Sequence, residues 1–159
     1  MNDTMVKDFQ NKIVNAGKAD LLLINYEMLF VTLDEAIQAI DGEQEGAFNK
    51  AMSQANRLLR ELSDNLDFNY DISKDLMAIY IFVSKQLIDA SIIFSKDPII
   101  SAKNVLNTLY TGWLKASETE DKQKPMIANG QKVYAGLTYG KGSLNEMVYD
   151  STSSRGFRA

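Results

Sequence analysis

The residues of this sequence best suited to acid–base work are its neighbouring carboxylates, Asp34 with Glu35 and Glu43 with Glu45. Such a pair becomes a proton donor and acceptor only when burial or like charge drives its pKa values apart. Both pairs sit among the polar positions of helical sequence, where carboxylates are ordinarily solvated surface, so no chemistry is assigned to them. The chain has no histidine and no cysteine. Their absence removes the commonest general base, the usual zinc ligands and the standard nucleophile pairings. The glycine-rich run YAGLTYGKGS, residues 134–143, looks superficially like a phosphate-binding loop. It does not match GxxxxGK[ST], and no strand precedes it. The expectation is a protein that is not an enzyme and needs no cofactor or metal.

Nucleic acid is an equally poor partner. With 17 Lys/Arg against 21 Asp/Glu the formal charge is −4, whereas phosphate binding needs clustered cations that release counterions. Residues 117–159 carry six Lys/Arg and five Asp/Glu, which leaves the acidic excess on residues 1–116, with 11 against 16. The lack of cysteine fits a reducing compartment. The N-terminal MNDTMVKDFQNK lacks the apolar core of a signal peptide, and the apolar run Leu21 to Ile24 is too short to span a bilayer. These features predict a soluble cytoplasmic protein with no span elsewhere and no membrane insertion.

What remains is apolar chemistry. On a helix over residues 18–41, a wheel at 100° per residue separates the apolar side chains into two stripes. Leu22, Tyr26, Leu29, Leu33, Ile37 and Ile40 form one, the natural core face; Leu21, Ile24, Met28 and Val31 form another on nearly the opposite side. A helix over residues 73–94 repeats the excess, with Leu76, Tyr80, Val83, Leu87 and Phe94 on one side and Met77, Ile81, Ile88 and Ile92 on another. One bundle core cannot bury both stripes of either helix. The second stripes are either covered by the N-terminal segment, the C-terminal tail or a second copy of the chain, or they form a groove for an amphipathic helix of another protein. Both hold if a tail covers the groove until a client displaces it.

The elements that position these stripes are marked by their boundaries. Met5, Phe9 and Ile13 recur every four residues and predict a short amphipathic helix. Gly17 with Asp20 starts the long helix over residues 18–41, and Gly42 is placed to end it. A second long helix over residues 45–66 puts Phe48, Met52, Ala55, Leu59, Leu62 and Leu66 on one face and Lys50, Arg57, Arg60, Glu61 and Asp64 opposite. Asp71 or Ser73 caps the third, and Asp97-Pro98 opens the fourth, which continues through Ala102, Leu106, Leu109 and Trp113. The predicted fold is all-α: an antiparallel up-down four-helix bundle, residues 1–117, with a short N-terminal helix and an extended C-terminal tail, residues 118–159. The tail mixes glycine with Tyr134, Leu137, Tyr139, Leu144, Met147, Tyr149 and Phe157, too many apolar groups for a plain linker. It is expected to occupy apolar surface on the bundle, its own or a neighbour's.

The successive pieces ADLLLINYEMLFVTLDEAIQAI, NRLLRELSDNLDF, DLMAIYIFVSKQLIDASIIFSKD and LNTLYTGWLKA resemble the helices of the flagellar secretion chaperone family FliS, in that order and at that spacing. The resemblance covers residues 19–116, including Leu76-x-x-Ile79-Tyr80, Leu87-x-x-Ala90 and Trp113. It implies a bundle that binds the disordered C-terminal segment of flagellin, prevents premature polymerisation and delivers it to the export gate of the flagellar type III apparatus. The candidate client-binding residues are Phe9, Ile13, Leu21, Ile24, Met28, Val31, Met77, Ile81 and Ile88. The alternative is another helical protein-binding adaptor, or a self-associating structural bundle such as a homodimer.

Overall fold

The computed structural model describes residues 1–121, and among them the chain is helical, with no strand. Its elements are α1 (Asp3–Asn15), α2 (Lys18–Asp41), α3 (Glu45–Asp64), α4 (Ile72–Ile93) and α5 (Asp97–Asp121). The predicted all-α bundle is therefore observed. α2 packs on α3 and α5, and α4 packs on the same two, so the four long helices close a ring of neighbours with α1 laid on α2. Short connections make consecutive helices antiparallel.

The boundaries follow local chemistry. The Asn2 side chain accepts from the Met5 N–H at 2.9 Å to start α1. The Asp20 carboxylate accepts from Gly17 N–H at 3.1 Å where α2 begins, and Gly42 N–H closes the helix on Gln38 O at 2.9 Å. Asp71 precedes α4 without a side-chain cap bond, and the Ser73 hydroxyl instead donates to Asp67 O at 2.6 Å, tying the α3–α4 turn to the helix. α5 runs four residues beyond the expected boundary at Ser117, to Asp121. Ser117 and Thr119 hydroxyls bond back to Leu114 O and Lys115 O, and an exposed helical turn needs no apolar residue to continue.

The core is made by the stripes read as core, with small residues added. Leu22, Tyr26, Leu29 and Leu33 of α2 are buried, joined by Thr32, Ala36 and Ala39, while Ile37 and Ile40 are half-buried at its edge. Leu76, Tyr80, Val83, Leu87 and Ala90 of α4 face them, with Ile99, Ala102, Leu106 and Trp113 from α5. Phe94 departs from its expected core place: it caps α4 in the left-handed region, φ 49°, and is 37% exposed. Its ring still meets Phe48 edge-on at 5.0 Å, a contact that offsets the strain of a non-glycine residue there. At the centre, Trp113 Nε1 donates to Tyr26 Oη at 3.2 Å, and the Tyr26 and Tyr80 hydroxyls share a 2.7 Å hydrogen bond. Three helices are thus joined through one buried polar cluster.

α4 also corrects the expectation that no stretch could span a membrane. By length and composition Ile72–Ile93 is apolar enough to cross one, because its two apolar stripes add up in a linear window that ignores direction. Its inner stripe packs in the bundle core, and only 28% of the most apolar window is buried. The outer stripe is what remains.

Candidate functional site

Two apolar surfaces lie outside the main core. The first is built where α1 crosses α2. Lys12 Nζ pairs with Glu27 at 2.6 Å near one end, and the N-terminal amine pairs with Glu35 near the other, so the helices run antiparallel. Glu27 and Glu35 flank the outward stripe of α2, which places α1 directly over it. Glu27 also accepts from Tyr110 Oη at 3.0 Å, so one carboxylate holds α1 and α5 to α2. Burial, and secondarily this bond, raises the Tyr110 hydroxyl pKa above its ordinary value.

Coverage by α1 decides the fate of the α2 stripe. Phe9 and Ile24 are buried, at 8% and 7% exposure, outside the main core cluster. Of the two readings of the α2 stripe, coverage by the N-terminal segment holds at Ile24: α1 acts as its lid. Met28 and Val31 are half-buried, and Leu21 and Ile13 are exposed at 41% and 42% at the uncovered end. Beside α1 lies an open groove of about 1020 Å³ between α1, α2 and α3, with Phe9, Ile13 and Met28 on one wall and Lys50, Ala51 and Arg57 on the other. A smaller hollow of about 470 Å³ opens between the start of α1 and α2, lined by Met5 and Val31 among others.

The second surface is the outward side of α4. Met77 is half-buried, but Ile81, Ile88 and Ile92 are exposed at 50%, 52% and 75%. Phe82 and Ile93 widen it on one flank, and Ile100 of α5 is exposed at the same end of the bundle as Ile92. Phe82 and Ile93 were missed in the sequence because they fall off the strict three-and-four spacing; the signal was the near absence of polar residues over Ile79 to Phe82 and Ile92 to Phe94. Structure thus divides the nine predicted residues between two sites. Phe9, Ile13, Leu21, Ile24, Met28 and Val31 gather at the α1–α2 surface, and Met77, Ile81 and Ile88 lie on α4, a separate side of the ring.

Among the described residues no group of three or more Asp, Glu, His or Cys is arranged to hold a metal. The most perturbed groups are the hydroxyls of Tyr26, pushed up to about 12 chiefly by burial, and Tyr80, raised further by burial and then by Tyr26. Both are sealed in the core.

Residues 1–120 match the family model described as flagellar protein FliS. The chain belongs to the FliS family. It is also similar to the flagellar secretion chaperone FliS of Bacillus subtilis (strain 168), with 23% identity over 115 residues, 72% of this chain and 86% of that protein. The FliS match covers all five helices almost to the end of α5, and the family is one of chaperones rather than catalysts.

Proposed function

We propose that this FliS-family chain is a cytoplasmic flagellar secretion chaperone that binds the disordered C-terminal segment of flagellin, keeps it from polymerising and delivers it to the export gate. The observation that carries the reading is the outward α4 stripe, Ile81, Ile88 and Ile92, left exposed on a helix whose other face is fully packed. An exposed apolar stripe at helical spacing accepts the apolar face of a client helix, and burying it is the main source of affinity. The groove between α1, α2 and α3 offers a second stretch for the same extended client, with Lys50 and Arg57 available to acidic client residues.

The test is calorimetric binding of a flagellin C-terminal peptide to the full chain and to Ile88→Asp. Ile88 is half-exposed, so the variant keeps its melting temperature. Binding is expected to weaken about tenfold or more, since an apolar anchor of this size contributes about 1.5–3 kcal/mol and tenfold corresponds to about 1.4. Unchanged affinity removes α4 from the client site, and no binding by the unaltered chain overturns the client assignment.

A further inference from the structure

Three observations link the residues beyond α5 to the bundle and to the outward face of α4. The first is charge: residues 122–159 contain six Lys/Arg (Lys122, Lys124, Lys132, Lys141, Arg155, Arg158) against Glu146 and Asp150, whereas residues 1–121 hold 11 Lys/Arg against 19 Asp/Glu. The segment is a cation attached to an anionic bundle. The second is apolarity: Tyr134, Leu137, Tyr139, Leu144, Met147 and Tyr149 lie within residues 134–149, with no core of their own in so short and glycine-rich a stretch. The third is reach. α5 ends at Asp121, at the end of the bundle where its antiparallel neighbour α4 begins. Residues 122–133 span at most about 40 Å when extended, against about 33 Å for the 22 residues of α4.

We propose that residues 134–149 dock on the exposed Ile81, Ile88 and Ile92 face of α4 in the free chain. The other apolar surface is disfavoured for this ligand. α1 already covers that surface at Ile24, and the groove beside it carries Lys50 and Arg57 against Glu35, which disfavours the cations flanking residues 134–149, Lys132 and Arg155. On α4 itself Lys74 and Lys85 fall at helical spacing beside Ile81 and Ile88, with Asp75 and Asp89 on the flank, so the choice of this face rests on its exposed isoleucines and on reach rather than on local charge. The docking concerns the chain alone and stands whether or not flagellin is the client.

Because the chain has no cysteine, a nitroxide placed at Ser143→Cys reports on one position. In full-length protein with labelled isoleucine methyls, diluted with unlabelled protein, the Ile81, Ile88 and Ile92 signals should lose most of their intensity. Ile13 and Ile24, on the α1–α2 side, should keep theirs. Ile88→Asp, at a half-exposed position, should restore Ile81 and Ile92. Quenching centred on Ile13 and Ile24, absence of quenching, or quenching only between separately spin-labelled and isotope-labelled copies each overturns intrachain docking on α4. The experiment contains no flagellin, so its failure is separate from failure of the client reading.

Discussion

The buried cluster of Tyr26, Tyr80 and Trp113 is costly unless satisfied, because a hydroxyl removed from water without a partner loses more than a net hydrogen bond returns. Here the Tyr26 hydroxyl bonds both Tyr80 and Trp113, which makes it the junction of α2, α4 and α5. Burial holds Tyr26 protonated up to about pH 12, above the ordinary 10.0, despite the lowering effect of its two hydrogen bonds. A folded-state pKa above the unfolded one means the native state keeps the proton longer. The stabilisation is thus complete below pH 10.0 and is lost as pH rises through about 12. Chemical denaturation from pH 8 to 11 should show stability flat and then falling, with a shallower fall in Tyr26→Phe; equal slopes would remove Tyr26 from the account. At neutral pH the same variant should lose about 1–3 kcal/mol, because it breaks both bonds of the junction.

At the scale of elements, α1 is held by less than the other helices: one buried side chain, Phe9, and ion pairs at its two ends. Exposed pairs of this kind contribute little, so Phe9 dominates its docking. Phe9→Ala should expose the α1 amides to hydrogen exchange and open Ile24, while the amides of α3 and α5 keep their protection; uniform loss across all helices would make α1 part of the global folding unit. How legible these elements were depended on what each boundary required. The start of α2 and its end at Gly42 were readable because capping is local, as was Asp97-Pro98 at the start of α5. The core stripe of α2 was readable from its 3.6-residue period. The wheel left the second α2 stripe open between coverage by the N-terminal segment and a client groove, and only the packing of α1 decides for coverage at Ile24. Phe94 was misplaced: its periodicity put it in the core, but the chain turns left-handed there and leaves the ring partly exposed at the core's edge, against the buried Phe48. The two-surface division of the client residues had no sequence signature, because it depends on the ring order of helices.

For the whole molecule, the proposed function and the proposed docking place two ligands on one face of α4, a client in solution and a segment of the same chain. Their competition is set by the balance between local concentration and intrinsic weakness. Ordering each residue of a glycine-rich segment costs on the order of 1–2 kcal/mol of backbone entropy, so apolar burial at about 25 cal/mol per Å² leaves a small surplus. A short tether offsets that weakness by supplying effective concentrations near millimolar, enough to keep the face covered yet release it to a tighter client. Deletion of residues 122–159, which leaves all of α5, should therefore tighten flagellin-peptide binding, and the gain should shrink as salt is raised. The salt effect follows from charge: six cations on the segment and the acidic excess of residues 1–121 attract over roughly 10 Å at 0.1 M ionic strength and far less at 1 M. Equal affinities for the two chains at low salt would show that the segment does not compete for the site, and weaker binding after deletion would make it a part of the client site instead. Tighter binding with no salt dependence would point to an occlusion that is apolar or steric, and would remove charge from the explanation while leaving the competition intact.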